Sequence, residues 1–426
     1  MSSLVWPSAT LLITNGQVCT LDPCEGSALG LCDGGTVVIG DDTILYAGPA
    51  TEVPHDIEIP PDVTVIDAQG RTVVPGFVDP HTHLIFGGWR EDEFEERLQG
   101  VTYQAIAARG GGILRSVRQT REASRETLIN NGLRALDRML LLGTTTVEGK
   151  SGYGLNTATE LRLLEALELC DRMHPIDVVP TFMGAHEVPA ESRPDTESYV
   201  RQVIEEQLPA VVEQGIAQFC DVFCEANVFS LDQSRRILEA AKSLGLKLKI
   251  HSDEFENLRG TEMAIELGAV SVDHLHMISP AGIAALANSN TTGVLLPGTA
   301  FYLGGKHYAP VKDMLAAGCR LAMATDFNPG SSVTENLQLI NTIAVTQMRM
   351  DPIAALQAMT INAAHAIDRQ DTIGSLVPGK QADIVILDMP NYRHLAYHYG
   401  VNHVWQVIKH GQVVVRERRL VKSQRV

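Results

Sequence analysis

Residues 77–83, FVDPHTH, open apolar and end in two histidines two positions apart. A short apolar run that turns polar at its end reads as a buried strand carrying chemistry at its C-terminal tip. Working outward, seven more segments fit that reading: TTTVEGK (144–150), VVPTFMGAH (178–186), FCDVFCE (219–225), LKLKIHSDE (246–254), AVSVDHLH (269–276), TTGVLLPG (291–298) and RLAMATDFNPG (320–330). Amphipathic helices alternate with them. In residues 121–143, Ile129, Leu133, Leu136 and Leu140 make one apolar stripe at helical period. Ser230 with Gln233, and Thr157 with Glu160, carry the capping-box pattern that predicts helix starts. Eight strands alternating with helices over residues 73–374 predict an α/β fold, a (β/α)8 TIM-like barrel. Its catalytic residues are then expected at the C-terminal strand ends.

The flanks differ. TLLITNG, GTVVIG, TILYAG and VTVIDAQG in the first seventy residues, and ADIVILD, HVWQVIKHG and QVVV in the tail, are short strands punctuated by Gly, Asn and Asp. Neither end is large enough to fold alone. Residues 1–72 and 375–426 are therefore expected to meet as one smaller β-sandwich-like satellite domain.

The chain has 426 residues with Lys+Arg 34 against Asp+Glu 51, a net charge of −17. Such a balance repels nucleic acid and anionic membrane and points to small-molecule chemistry. The N-terminus MSSLVWPSATLLITNG has no basic leader pattern, and no apolar run reaches the roughly 18 residues that would span a bilayer. The seven scattered cysteines do not form a disulfide framework, so a cytoplasmic location is expected. Cys220 and Cys224 read as buried strand thiols, since they lack the second pair a structural zinc site needs.

On a strand, positions i and i+2 share a face, so His81 and His83 aim the same way. Alone, an H-x-H pair is a weak signal. His251, ending the fifth segment, and Asp326, placed directly after an apolar strand, strengthen it. In a barrel the four converge on one rim and supply three nitrogens and one oxygen, a donor set for a first-row metal with a position left open for water. Glu254, three residues beyond His251, is the expected general acid/base for water activated by such an ion. His274 is expected to orient that water or to act as a fifth ligand, and His186 to polarise a carbonyl under attack. Asp253 and Glu256 read as solvated carboxylates. Lys249 shares a face with His251 and, as a buried ammonium, is expected to pair with Glu148. Lys150 is left between contacting the site and facing solvent, and His307 between a lid role and none.

The motifs PGFVDPHTH, IHSDE, ATDFNPG and GSLVPGKQADIVILD resemble the amidohydrolase superfamily. FGGWREDEF, GGGI, EGKSGYGL, TFMGAHEVP, DVFCE, LLPGTAFYL and TDFNPGS resemble, more narrowly, the imidazolonepropionases. The likeness runs from about Val73 to the C-terminus. It implies hydrolysis of the ring C–N bond of 4-imidazolone-5-propanoate to N-formimidoyl-L-glutamate in histidine degradation, one zinc or iron ion per chain, and a homodimer. It places metal ligands on His81, His83, His251 and Asp326, and substrate contacts on Arg90, Tyr153, His186, Glu254, Asn328, Gly330 and Ser331. Arg90 suits a bidentate clamp on the propionate. FCDVFCE lacks the lysine that binuclear relatives carbamylate on the fourth strand, which favours one metal. His276 departs from the family pattern. A nucleobase-type deaminase would use the same metal but has no purpose for a carboxylate clamp. A non-catalytic scaffold would not need the intact ligand set.

Overall fold

Apolar side chains on both faces draw the eight central segments into one parallel sheet. The structure is a computed structural model and describes residues 7–24, 26–102, 105–106, 109–305 and 307–421. Residues 1–6, on which the expectation of no leader partly rests, lie outside them. The barrel strands are β1 (Phe77–Thr82), β2 (Thr144–Lys150), β3 (Asp177–Ala185), β4 (Phe219–Cys224), β5 (two short runs, Lys247–Leu248 and His251–Ser252), β6 (Ser271–His274), β7 (Thr292–Leu295) and β8 (Leu321–Met323). They pair in parallel in chain order. The ring closes just past β8: the Asp326 N–H donates to the His81 carbonyl at 3.1 Å, and the His83 N–H to the Phe327 carbonyl at 2.9 Å. Closure therefore brings Asp326 against the H-x-H pair, 243 positions earlier in the chain at its nearer member by subtraction of the two residue numbers. The α/β barrel expected from the sequence is present.

The barrel interior is layered. Its floor is apolar: Val78, Val179, Phe219, Val294 and Ala322 pack with Ala363 and Ala366 of the helix Ile361–Ala366. Above lies a buried charged layer of Glu148, Lys150, Asp221, Lys249 and Asp273. The histidines and Asp326 form the top. Strand alternation builds these layers, since Phe219 and Asp221, and Lys249 and His251, are i and i+2 pairs. Cys220 and Cys224 are buried thiols, as expected.

The helices follow their local signals with one correction. Arg125–Leu141 is capped by the Ser124 side chain, and Leu231–Ser243 starts in the Ser230/Gln233 capping box. Thr157–Met173, however, is capped by Asn156, one residue earlier than expected. Glu160 does not close a capping box. Its carboxylate turns away to accept the N–H groups of Gly152 at 2.8 Å, Gly154 at 2.7 Å and Leu155 at 2.8 Å.

Both chain ends meet in a second, nine-stranded sheet. Leu11–Cys19 is bonded along one side to Leu31–Gly40 and along the other to Thr64–Asp67 and Thr72–Pro75, and Thr72–Pro75 in turn pairs antiparallel with Ile384–Leu387. A separate core that includes Ile13, Ile39, Val73, Ile384 and Ile408 fills it. Lys409, fully buried, pins this unit to the barrel: its Nζ lies 2.6 Å from Asp177 at the start of β3 and 2.7 Å from Asp383. Among the described residues, no helix is long and apolar enough to cross a membrane.

Removing Lys409 strands the buried Asp383 carboxylate. Lys409→Met is expected to cost about 3–5 kcal/mol in denaturant unfolding, whereas Arg109→Ala at an exposed ion pair should stay within about 0.5 kcal/mol. Burial alone would raise the Asp177 carboxyl, but His410 and Lys409 hold it below the usual range. A lowered carboxyl stabilises the folded state above its unfolded pKa and loses that contribution as pH falls. The wild type's stability margin over Asp177→Asn should be full above about pH 5 and shrink in acid.

Candidate metal centre

Three imidazoles and one carboxylate converge at the C-terminal mouth of the barrel. His81, His83, His251 and Asp326 are all buried. The Nε2 atoms of His81 and His83 each lie 3.6 Å from Asp326 Oδ1, and the Nε2 atoms of His83 and His251 are 3.4 Å apart. With bonds of about 2.1 Å, the edge of a tetrahedral site is about 3.4 Å, so this spacing suits ligands of one ion. His81 Nε2 is buried and has no hydrogen-bond partner among the described residues. Burial above all, with the neighbouring imidazoles and the Lys150 ammonium adding to it, holds His81 and His83 well below the usual imidazole range. Both are thus neutral, the state a metal requires.

The other ring nitrogens explain how the imidazoles are aimed. His81 Nδ1 donates to Asp273 Oδ2 at 2.6 Å, and His251 Nδ1 to Asp221 Oδ1 at 3.1 Å. A proton fixed on Nδ1 leaves the Nε2 lone pair facing the centre. Asp326 is set by Thr299, whose hydroxyl donates to Oδ2 at 2.6 Å and leaves Oδ1 for the centre. Sequence reasoning missed Asp221, Asp273 and Thr299. The signal available for the two aspartates was an acidic residue inside an otherwise apolar strand.

Asp326 and His274 reach the site through unusual backbone. Asp273 faces inward, so alternation alone would turn His274 outward; φ of 82° at His274 and 64° at Leu275 bring it back. Asp326 has φ of 51°. His274 belongs to a second cluster with His81 and His251 whose ligand atoms lie within 4.8 Å of one another. Its Nδ1 is 3.6 Å from Glu254 Oε2. Burial, then Asp326 and Glu225, raise the Glu254 carboxyl well above its usual range. Glu225 also shapes that segment, accepting the N–H groups of Phe255 at 2.9 Å and Glu256 at 3.2 Å.

Of the expected substrate-binding residues, His186 and Tyr153 lie against His83, and Asn328 donates to the Asp326 carbonyl at 2.6 Å. His186 stacks on His83 with ring centroids 4.7 Å apart, and Tyr153 lies 5.7 Å from His83. Gly152 supplies the carbonyl that receives His186 Nδ1 at 3.0 Å. That contact places the imidazole proton on Nδ1, and burial lowers the His186 pKa to about 3. Its Nε2 is therefore an acceptor, which corrects the expectation that His186 polarises a carbonyl by donating to it. Arg90 is buried, its Nε 3.7 Å from Glu93 Oε2, while Nη1 has no hydrogen-bond partner among the described residues. Gly330 leaves room for that guanidinium: a Cβ there would lie 1.2 Å from Arg90 Nη2. Asn328 Oδ1 accepts the N–H groups of Gly330 and Ser331, both at 2.8 Å, so it builds the turn on which those two residues sit.

Two other expectations meet different geometry, and one left open is resolved. Lys249 does not pair with Glu148. Its ammonium donates to the Pro80 and Ala366 carbonyls at 3.3 and 3.0 Å and lies 3.9 Å from Asp273. Glu148 pairs instead with Lys150 at 2.7 Å, which settles Lys150 as buried rather than solvent-facing. Asp253 is buried and accepts the Thr261 hydroxyl at 2.7 Å, whereas Glu256 is exposed as expected. His276 has its ring 5.9 Å from His274, and burial lowers its pKa to about 4. His307 is exposed.

The sequence profile of the amidohydrolase family matches residues 72–414. The chain is 49% identical over 391 residues to the imidazolonepropionase of Alkaliphilus metalliredigens, covering 92% of each chain. It is 48% identical over 420 residues to that of Symbiobacterium thermophilum, covering 97% of this chain and 99% of the relative. Among solved structures, a zinc-bound adenosine deaminase from Xanthomonas campestris superposes with a TM-score of 0.72 at 18% identity, over 98% of this chain and 95% of that one. A variant of the atrazine chlorohydrolase from Arthrobacter aurescens, complexed with zinc and atraton, gives 0.75 at 17% identity and 97% of each chain. These distant likenesses speak for the fold.

His81→Ala or Asp326→Ala should leave purified protein without stoichiometric metal by elemental analysis. Asp273→Asn, which disturbs only the Nδ1 side of His81, should keep the ligands and weaken metal affinity by about 10- to 100-fold in a chelator competition.

Proposed function

We propose the reaction from one premise: the chain belongs to the amidohydrolase family and, within it, to the imidazolonepropionases. The protein hydrolyses the ring C–N bond of 4-imidazolone-5-propanoate to N-formimidoyl-L-glutamate, the reaction of histidine degradation. The observation that carries this reading is the largely enclosed Glu254 carboxyl 3.6 Å from His274, beside the His81, His83 and Asp326 cluster and the adjoining His251.

His81, His83, His251 and Asp326 would hold one zinc or iron ion. The chemistry such an ion would supply there is acidification of a water and polarisation of a carbonyl. Every other part falls to the protein's own side chains. Arg90 receives the propionate, with Gly330 keeping its guanidinium clear and Asn328 and Ser331 fixing that turn. Tyr153, on the loop held by Glu160, closes the side of the pocket next to His83. His186 Nε2 accepts a ring N–H and so orients the ring. Glu254 Oε takes a proton from water, with His274 keeping the water in line, and returns the proton to the departing ring nitrogen. The reading extends to a cytoplasmic homodimer acting on a small carboxylate-bearing ring.

Ultraviolet loss of freshly generated imidazolone propionate is the assay. Wild-type turnover should be abolished by a chelator and restored by metal. Glu254→Gln should retain metal and lose about 10²- to 10⁴-fold in kcat; full activity in that variant would remove Glu254 from the proton transfer. Arg90→Met should raise KM far more than it lowers kcat, and an unchanged KM would end the clamp.

A further inference from the structure

Lys150, the last residue of β2, is fully buried and hydrogen-bonds to Glu148 and Asp221 rather than to the four proposed ligands, so that its ammonium reaches the groups that orient two of them. Its Nζ lies 2.7 Å from Asp221 Oδ2, 2.7 Å from Glu148 Oε1 and 3.9 Å from Asp273 Oδ2. Asp221 uses its other oxygen for His251 Nδ1, and the Asp273 oxygen nearest Lys150 is the one that receives His81 Nδ1. Glu148 uses its second oxygen for the Thr82 N–H at 3.3 Å, between His81 and His83. One cation thus stands at the junction of three carboxylates, each of which positions a different part of the ligand set. Three buried carboxylates this close repel one another unless a cation is shared among them. Lys249 lies as close to Asp273, at 3.9 Å, but its shorter contacts are to the Pro80 and Ala366 carbonyls, so the 2.7 Å contacts to Asp221 and Glu148 are those of Lys150.

We propose that Lys150 is a positioning residue for the metal centre, holding Asp221 and Glu148 directly, and Asp273 together with Lys249, in the rotamers that aim His251, the H-x-H strand and His81. A carboxylate released from the ammonium is free to turn, and the imidazole it holds turns with it. A small misdirection of Nε2 then weakens every metal–ligand bond at once. The inference rests on the metal reading of His81, His83, His251 and Asp326, and wild-type zinc binding reports on that reading separately.

The test is the zinc dissociation constant of purified apoprotein, read by competition with a chromophoric chelator, for wild type, Lys150→Met, Asp221→Asn and the double variant. Thermal melts of the apoproteins establish that each is folded. Wild type should bind one zinc. Lys150→Met and Asp221→Asn should each weaken binding by about 10- to 100-fold. The double variant should fall well short of the product of the two losses, because one acts partly through the other. Lys249→Met should weaken zinc binding less than Lys150→Met. Should Lys150→Met not fold, Lys150→Gln, which keeps a donor without the charge, is read by the same criteria. An unchanged zinc affinity, fully multiplicative losses, or an equal loss in Lys249→Met would overturn the proposal. A wild type that binds no zinc or iron would instead overturn the metal reading beneath it.

Discussion

The proposed centre depends on one constraint: three imidazoles must be neutral and must point the same nitrogen at one place. An imidazole has two nitrogens and turns freely unless one is held. Here Asp273 and Asp221 hold the Nδ1 sides of His81 and His251. Burial keeps His81 and His83 unprotonated. The barrel supplies these contacts. Its closure sets Asp326 against His81 through a backbone hydrogen bond, and its parallel register places His251 directly opposite Asp273.

Orienting carboxylates buried this deeply need cations, and the layer beneath the histidines provides them. Lys150 and Lys249 lie there among Glu148, Asp221 and Asp273. The apolar floor below, sealed by the helix Ile361–Ala366, keeps that layer out of solvent. Low dielectric strengthens the ion pairs and makes any unpaired member costly. The same burial raises Glu254 at the mouth. Floor and charged layer are thus successive consequences of one strand alternation repeated around a ring, and at the rim the positive φ of His274 and Asp326 adds two side chains that alternation would not deliver.

Much of this was legible in the sequence. The eight strands, the ring and the convergence of His81, His83, His251 and Asp326 follow from apolar runs that end in ligand-type residues. The satellite sheet follows from two β-rich flanks too small to fold alone. What escaped was the pairing inside the barrel. Alternation assigns a side chain to a face but not to a height, because the stagger between neighbouring strands is a property of the closed ring. Hence Lys249 was matched to Glu148, when Glu148 belongs to Lys150 on its own strand. Asp253 sits in a polar run, SDEFE, that reads as solvated; its φ of 55° turns it inward to a threonine eight residues on. The acceptor role of His186 depends on the Gly152 carbonyl, a backbone group that no residue type announces.

The most direct test is the fate of the ring in oxygen-18 water. Imidazolone propionate incubated with metal-replete protein should give formimidoyl-glutamate with one heavy oxygen in the new carboxylate, and no ammonia. Release of ammonia with the ring intact, or no turnover at all, would contradict ring-opening hydrolysis as the reaction of this site.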